Sequence, residues 1–243
     1  PAASPLPPPD APTAPPTAPA PPASATPADL VRPNGAPLHA AHRTAPPTIN
    51  GDFGDWAALD GVISQPVFRP ENWSGPADQS VQFALAWDTG YLYLAADVTD
   101  DVHVQTQHGE LIYRGDSLEI LLDADLSGDF ATAKLNADDY QIGLSPATLV
   151  ADSPEAYLWF PKAAAGPPAG VVVAVRRRGG SDGYELEAAL PWSLFGVTPA
   201  AGGRFGFALA SNDNDSPGTV EQQSVISTSP AHRLVDPTPW GTL

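Results

Sequence analysis

The acidic segment from Asp123 to Asp129 has the spacing of a cation-binding loop. Side chains with oxygen atoms stand at its first, third, fifth and seventh positions, which are Asp123, Asp125, Ser127 and Asp129. Gly128 takes the sixth position, and calcium loops use this alternation because Ca²⁺ prefers oxygen ligands. The bidentate glutamate of such loops is missing, since Lys134 stands at its place. We therefore expect either a Ca²⁺ site or a solvated turn between strands.

Histidines are the other candidate metal ligands, because the chain contains neither cysteine nor methionine. If the segments carrying His103, His108 and His232 converge, their imidazoles would bind copper or zinc. An exposed copper site of that kind would support redox chemistry such as superoxide dismutation. His39 and His42 would supply further ligands if the N-terminal region folded over the same place. The alternative is that these side chains are only solvated.

Other carboxylates offer weaker possibilities. Asp52 with Asp55, and Asp100 with Asp101, are weaker candidates for calcium. Glycosidase chemistry would need two carboxylates opposed across a cleft, and spacing along the chain does not reveal such a pair. The chain has no G-x-S-x-G, H-E-x-x-H, P-loop or G-x-G-x-x-G motif. We therefore predict no catalytic residues of a common motif class.

The net charge of −17 restricts the partners of the chain. An acidic surface repels the phosphate backbone, so nucleic acid is not an expected partner. No run of residues approaches 18 apolar positions, so a membrane-spanning helix is not expected either. Divalent cations and neutral sugars remain compatible with this charge.

Short alternating segments separated by turn residues are typical of an antiparallel β-sandwich. These segments are 81–87, 91–98, 117–123, 140–144, 156–160, 170–176, 184–190 and 204–211. The one helical candidate is a short turn at 191–195. The predicted fold class is an all-β, jelly-roll-like sandwich with an aromatic core that includes Trp87, Trp159, Trp192 and Trp240. Trp73 lies in a predicted loop and is the better candidate for an exposed ring.

The N-terminal region has a different composition from the rest. Residues 1–30 contain 12 prolines and nine alanines, and no aromatic residue precedes Phe53. Such a segment buries little apolar area and favours an extended polyproline conformation. We therefore predict an extended Pro/Ala-rich arm over 1–47 and a sandwich over 48–243. An arm of this kind suits an extracytoplasmic protein of the bacterial cell envelope or surface, or a secreted one.

Several segments, in order, resemble family 9 carbohydrate-binding modules, the sugar-binding relatives of the DOMON superfamily. The segments that carry the resemblance are 49–56, 86–101, 113–123, 184–192, 205–213 and 236–243. Members of that family are β-sandwiches that often carry structural calcium. Their sugar slot clamps a terminal sugar between two aromatic rings, while Glu, Arg, Gln and Asn side chains bind its hydroxyl groups.

The resemblance transfers to individual residues only in part. Tyr113 stands where the first clamping ring is expected, Glu119 keeps the acidic hydroxyl acceptor, and Asn212 lies near the late polar position. His232 and Arg233 stand where the second ring is expected. The arginine and glutamine positions fall at about Gly143 and Ala210, so both side chains are missing.

These observations leave three hypotheses open. The first is a module that binds a cell-wall or surface glycan, tethered by its arm. The second is a degenerate module that serves as an accessory subunit of a cell-envelope assembly, with the arm lying along a partner protein. The third is the histidine-bound copper or zinc site.

Overall fold

Two β-sheets packed face to face make up the computed structural model, which describes residues 30–150, 152–178 and 183–243. Their strands are β1 (Ala40–His42), β2 (Gly61–Ile63), β3 (Pro66–Phe68), β4 (Gln79–Trp87), β5 (Tyr91–Asp100), β6 (Ser117–Asp123), β7 (Asp139–Ser145), β8 (Glu155–Phe160), β9 (Val172–Arg177), β10 (Tyr184–Pro191), β11 (Gly206–Asp213), β12 (Ser224–Ser227) and β13 (Gly241–Thr242).

The first sheet has six strands in the order β1-β4-β5-β10-β9, with β2 also paired to β4. The second has seven strands in the order β3-β12-β11-β6-β7-β8, with β13 paired to β11. Paired strands run antiparallel except β1, which is parallel to β4. The predicted all-β sandwich is therefore confirmed.

Helical segments in the described residues are short. The α-helix α1 spans Leu126–Asp129. The 3-10 turns span Phe53–Asp55, Pro70–Asn72, Gly109–Arg114, Lys162–Ala164 and Trp192–Leu194. None of these is long or apolar enough to cross a membrane.

The hairpin of β4 and β5 shows how local sequence produces this sheet. Asp88 ends the alternating run, and its Oδ1 atom accepts hydrogen bonds from the backbone N–H groups of Gly90 and Tyr91 at 2.7 and 2.9 Å. These bonds close the turn that the Asp-Thr-Gly sequence predicts. Beyond the turn, Leu92 and Leu94 point into the sandwich and are completely buried.

The period of two along β6 decides which side chains reach the outer face of the seven-stranded sheet. Leu118, Ile120 and Leu122 belong to the central core cluster. Glu119 and Leu121 therefore lie on the opposite face, where Leu121 packs with Ala208 and Trp240. This alternation places a carboxylate on the outside of a central strand.

Part of the region predicted as an arm over 1–47 packs against the sandwich. Ala40–His42 pairs with Leu85–Trp87 of β4. Leu38 donates its backbone N–H to Thr242, and Arg32 is 1% exposed. Residues 1–29 of the predicted arm lie outside the described residues.

Candidate functional site

One row of residues crosses the outer face of the seven-stranded sheet. Glu119 of β6 lies opposite Gly143 of β7 and opposite Ala210 of β11. The register therefore aligns the expected acidic residue with the two positions at which the resemblance implies arginine and glutamine. Gly143 and Ala210 offer no polar side chain, so Glu119 is the only polar side chain in this row of three.

A depression of about 160 Å³ opens above Glu119. Its lining residues are Tyr113, Glu119, Gln141, Trp159, Lys162 and Leu234. Two of the predicted sugar-binding residues, Tyr113 and Glu119, therefore lie in the same depression. The other four lining residues were not predicted as site residues from the sequence.

Two aromatic rings form a right-angled corner in this depression. The rings of Tyr113 and Trp159 lie 6.1 Å apart at an interplanar angle of 78°. The indole Nε1–H of Trp159 donates to the backbone carbonyl of Glu110 at 2.9 Å, and Tyr157 packs 5.9 Å from the indole. These contacts fix the Trp159 ring next to the 3-10 turn that carries Tyr113.

Trp159 was expected in the core, and that expectation is wrong. Tyr157 and Trp159 alternate with Leu158 along β8, and only Leu158 points into the core. The alternation in the sequence was the signal that could have placed both rings on the outer face.

Gly143 makes room for the Trp159 ring. A Cβ atom on Gly143 would lie 2.3 Å from Cη2 of Trp159 and 2.7 Å from Cδ1 of Ile112. No larger side chain fits beneath the indole without displacing it. The tryptophan therefore covers the position where the resemblance implies an arginine.

The floor of the depression is a buried and incompletely satisfied carboxylate. Oε1 of Glu119 accepts a hydrogen bond from Nδ2 of Asn212 at 3.2 Å. Oε2 is buried and has no hydrogen-bond partner among the described residues. Gln222 holds Asn212 in place, because its Nε2 donates to Oδ1 of Asn212 at 2.6 Å. Burial raises the pKa of Glu119, while the charge of His232 and the bond from Asn212 lower it.

His232 lies close enough to Glu119 to influence its pKa. Both ring nitrogens of His232 are buried without a hydrogen-bond partner among the described residues. Arg233 points away, with 64% of its side chain exposed and Nη1 3.4 Å from Oδ2 of Asp236. Neither His232 nor Arg233 lines the depression. The two candidates at the second-ring position differ in burial, since the ring nitrogens of His232 are buried and Arg233 is exposed.

Trp73 is not the freely exposed ring that the sequence predicted. Its ring packs against the core, and its Nε1–H donates to the backbone carbonyl of Gln79 at 2.9 Å. The loop before β4 is thereby fastened to that strand.

A larger cavity of about 250 Å³ lies next to residues 37–40, Trp87, Trp192 and the C-terminal Leu243. His39 and Arg204 are its only polar side chains among the described residues, and it contains no carboxylate or amide side chain. Sugar hydroxyls need such partners when they are buried. We therefore take the smaller depression as the candidate site.

The histidines do not converge as the copper or zinc hypothesis requires. Each group of three potential ligands found among the described residues contains at most one histidine, His103 with Asp100 and Asp116. His108 instead contacts Glu155 at 2.8 Å, with 63% of its side chain exposed. His42 packs on Trp87, whereas β4 and β5 place His103 near their opposite end.

The predicted calcium loop is rearranged. Oδ1 of Asp125 accepts from Ser127 Oγ at 2.7 Å and from the Gly128 backbone at 3.1 Å, so it caps α1. Asp125 therefore does not belong to the group of carboxylates that could share a cation. Carboxylate oxygens of Asp123, Asp129 and Asp138 lie within 4.8 Å of one another instead.

We refer to Asp123, Asp129, Asp138 and the adjacent Asp139 as the Asp123 cluster. One buried oxygen on each of Asp123, Asp129 and Asp139 has no hydrogen-bond partner among the described residues. Burial raises the pKa of Asp123 to about 6 and that of Asp139 to about 7. Unpaired carboxylate oxygens of this kind fit a hard cation. Arg32 already reaches Asp123 at 2.7 Å.

Asp52 and Asp55, the weaker calcium candidates, are engaged in local contacts. Asp52 accepts from Gly54 at 2.8 Å and pairs with Arg176 at 2.7 Å. Asp55 accepts from the Thr48 backbone at 2.7 Å. Neither belongs to a group of potential metal ligands in the described residues.

Two solved structures are similar to this chain over most of its length. Both are family 9 carbohydrate-binding modules from Caldicellulosiruptor kristjanssonii, one in complex with cellotriose and one with glucose. The cellotriose complex is 21% identical, with a TM-score of 0.60, and the match covers 85% of this chain and 92% of that one. The glucose complex is also 21% identical, with a TM-score of 0.61 and coverage of 85% and 94%. These likenesses support the fold.

No curated protein sequence matches the chain. The sequence profile of a family described as carbohydrate family 9 binding domain-like matches residues 56–243, which is most of the chain. The match agrees with the ordered segments that carry the resemblance and with the observed sandwich. The chain therefore belongs to the family 9 carbohydrate-binding domain-like family.

Proposed function

We propose that this chain is a non-catalytic module that binds the terminal sugar of a glycan in the depression above Glu119. The observation that carries the proposal is the combination of an aromatic corner with a buried carboxylate that lacks a partner for Oε2. The aromatic rings suit the C–H groups on the face of a sugar ring, and the carboxylate suits its hydroxyl groups.

The aromatic half supplies apolar contact. The faces of sugar rings carry C–H groups, which pack on aromatic side chains much as other apolar groups do. Tyr113 and Trp159 meet at 78°, so one ring supports a face of the sugar and the other borders its edge. This arrangement differs from a clamp of two facing rings and compensates for the missing second ring.

The polar half supplies hydrogen bonds. A buried carboxylate oxygen without a donor is costly, and a sugar hydroxyl would satisfy Oε2 of Glu119. Gln141 and Lys162 add polar groups to the lining. The small volume of about 160 Å³ favours the end of a glycan over an internal stretch of the chain.

Glucose and cellotriose are the first ligands to test, because the similar modules were solved with them. We expect Tyr113→Ala and Trp159→Ala each to weaken binding by about tenfold or more, roughly 1.4 kcal/mol, because each removes one wall of the corner. Titration calorimetry on the full chain measures this loss. Tyr91→Ala is the matched control, since Tyr91 is an exposed tyrosine on the other sheet.

Unchanged affinity in both ring variants would refute the site. The absence of binding to any glycan on an array would refute sugar binding itself. That second result would favour the alternative of an accessory subunit in a cell-envelope assembly. Contact of a partner protein through residues 1–29 stays a prediction, because those residues are not described.

We also propose that the Asp123 cluster binds Ca²⁺, with Asp123, Asp129 and Asp138 as ligands. The support is the set of partner-free carboxylate oxygens together with their spacing within 4.8 Å. Asp125 would act one step away, by capping the helix that carries Asp129, and the Ser127 hydroxyl would hold Asp125 in place by donating to its Oδ1. An extracytoplasmic location, where free Ca²⁺ and glycans are both available, completes the proposal.

A further inference from the structure

The cavity of about 250 Å³ beside Leu243, which we call the C-terminal cavity, has walls from both sheets. Trp87 ends β4 of the six-stranded sheet, whereas Phe205 and Leu243 flank β11 and β13 of the seven-stranded sheet. Backbone hydrogen bonds of 3.0 and 2.9 Å join Phe205 to Leu243, and Leu38 donates its N–H to Thr242 at 2.8 Å. The walls are therefore held by main-chain contacts, which makes the cavity a preformed site.

Aromatic rings give the C-terminal cavity its apolar surface. Trp192 stacks on Phe205, with ring centroids 5.6 Å apart at an interplanar angle of 28°. Trp87 adds a second, half-buried indole to the lining. Grooves lined by aromatic rings bind proline-rich segments, because such segments present apolar rings on a backbone that is already extended.

The indole N–H of Trp87 is a hydrogen-bond donor without a partner in the part of the chain that the structure describes. The other five tryptophans each donate Nε1–H to an acceptor, and they are Trp56, Trp73, Trp159, Trp192 and Trp240. A polyproline segment has no internal hydrogen bonds, so its backbone carbonyl groups are free to accept. Trp87 therefore offers such a segment both an apolar ring and a donor.

Arg204 gives the C-terminal cavity a positive charge. Its half-buried side chain lines the cavity, in which no carboxylate takes part. Arg204 forms no ion pair with any described residue. An apolar cavity with one unpaired arginine fits a ligand that is mostly apolar and carries a single negative charge.

The N-terminal sequence contains a segment with these complementary features. Residues 5–12 read Pro-Leu-Pro-Pro-Pro-Asp-Ala-Pro, with five prolines and one aspartate. Asp10 is the only charged side chain in residues 1–28, which precede the described part of the chain. Prolines favour the polyproline conformation. Proline rings suit the aromatic walls, a backbone carbonyl suits the indole N–H of Trp87, and Asp10 suits Arg204.

The described chain leads from the N-terminal segment to the cavity. Arg32 donates its backbone N–H to Oγ1 of Thr242 at 2.9 Å, and the next residue, Leu243, lines the cavity. The 20 residues from Pro12 to Arg32 would span up to about 60 Å in a polyproline conformation, so the segment can reach. Because the segment and the cavity belong to one chain, their effective concentration is high and weak contacts suffice.

We propose that residues 5–12 bind in the C-terminal cavity of the same chain as a polyproline segment, with Asp10 beside Arg204. The arm then folds back on the sandwich instead of projecting from it. The C-terminal cavity and the depression above Glu119 share no lining residue. The proposal therefore does not depend on sugar binding.

The test uses the full chain and a nitroxide spin label, which broadens the NMR signals of nearby protons. The chain has no cysteine, so Thr13→Cys places one label just beyond the segment. We expect the indole N–H signals of Trp87 and Trp192 to be broadened, and to recover when the label is reduced. Val150→Cys is the matched control, because Val150 is exposed and lies in the turn between β7 and β8 rather than at the cavity.

A charge swap tests the pairing of Asp10 with Arg204. Asp10→Arg should weaken docking by about fivefold and reduce the broadening, because it removes an attraction and adds a repulsion. This change alters no described residue, so misfolding of the sandwich does not explain the result. Adding Arg204→Asp to Asp10→Arg should restore the broadening. Asp29→Arg is the matched control, since it changes the net charge equally outside residues 5–12.

Three results would overturn the proposal. The first is an unbroadened Trp87 signal in the chain labelled at position 13. The second is equal broadening in Asp10→Arg, which would contradict the pairing with Arg204. The third is broadening that increases with protein concentration, which would mean that the segment enters the cavity of a second copy of the chain.

Discussion

Two acidic clusters lie at opposite ends of the same pair of strands. One is the Asp123 cluster, and we call the other the Asp213 cluster, whose members are Asp78, Asp100, Asp101, Asp213 and Asp215. β6 and β11 run antiparallel, with Asp123 opposite Gly206 at one end and Ser117 opposite Asn212 at the other. Both clusters combine buried aspartates with partner-free oxygens. They differ in how the charge is balanced: Arg32 enters the Asp123 cluster, whereas His103 lies at one side of the Asp213 cluster.

The difference is that the Asp123 cluster has a positively charged partner from within the chain, whereas no lysine or arginine among the described residues pairs with Asp78, Asp213 or Asp215. Arg32 comes from the N-terminal segment, more than 90 residues before Asp123 in the chain, and is as deeply buried as its partner. A guanidinium supplied by the chain is always present, whereas a bound cation depends on its concentration. We therefore expect the Asp213 cluster to respond more strongly to calcium.

The largest effect should follow from removing the internal cation. Arg32→Met leaves Asp123 buried without its partner, and breaking a buried ion pair in this way costs about 3–5 kcal/mol. Chemical denaturation at neutral pH, in chelator, measures the loss in the free energy of unfolding. Calcium should restore part of it, since the Asp123 cluster then relies on an outside charge.

Arg176→Met is the control for this change. Half of the Arg176 side chain is exposed, and its partners are Asp52, which is 51% exposed and precedes a 3-10 turn, and Glu185 of β10, which is 19% exposed. Exposed ion pairs contribute little to stability. A loss for Arg32→Met no larger than that for Arg176→Met would show that the internal guanidinium does not balance the cluster.

A rise in pH should lower the free energy of unfolding by a smaller amount, through the carboxyl groups of the Asp213 cluster. Burial, with Asp215 and Asp116 nearby, raises the pKa of Asp213 from 3.8 to about 8. A carboxyl group of this kind holds its proton more tightly in the folded chain, so its contribution to stability is complete below about 3.8 and lost as pH rises through about 8. In chelator, the free energy of unfolding should therefore fall from pH 4 to pH 8.

Denaturation at a series of pH values checks this trend. Asp116, whose pKa burial raises to about 8, and His103, whose pKa its carboxylate partners raise to about 10, change stability in the same direction. Asp213→Asn should flatten the decline without abolishing it, and calcium should flatten it in the wild type. An equally steep decline in Asp213→Asn would mean that this carboxyl group does not titrate as the buried geometry requires.

The smallest effect on stability should come from changing Asp138 in the Asp123 cluster. Because Arg32 already supplies one positive charge, we expect this cluster to bind calcium at least roughly threefold more weakly than the Asp213 cluster, about 0.7 kcal/mol. Asp138→Asn should remove that weaker site and change the Tm in calcium less than Asp213→Asn does. A larger loss of calcium-dependent stability in Asp138→Asn would reverse the comparison.

The strands could be predicted from the sequence where alternation is long and turn residues bound it. The segment 117–123 coincides with β6, and 91–98 lies within β5. Shorter strands such as β1 and β13 escaped prediction because three or two residues carry no period. Their pairing depends on the neighbouring strand rather than on their own sequence.

The candidate site could be predicted in part. Tyr113 and Glu119 emerged from the resemblance, because they stand within one continuous segment. Trp159 was assigned to the core, since a tryptophan in an apolar strand is most often buried. Its place over Gly143 depends on the pairing of β7 with β8, which no local pattern specifies.

The acidic loop of 123–129 separates the features that local sequence specifies from those that depend on distant residues. The alternation of β6, the turn after it and the acidic character of this corner follow from near neighbours in the chain. The identity of the cation ligands does not. Asp125 caps α1 at the surface, and Asp138 from across the turn lies with Asp123 and Asp129 instead.

Long-range packing of the chain assembles the Asp213 cluster and brings Arg32 to the Asp123 cluster. Asp78, Asp101 and Asp215 are separated by many residues, and Arg32 lies in a segment predicted to be an extended arm. Local sequence fixes the period and the ends of a strand. The approach of distant strand ends, and the choice between an internal and an external cation, depends on sheet order and register, which are set by the packing of the whole chain.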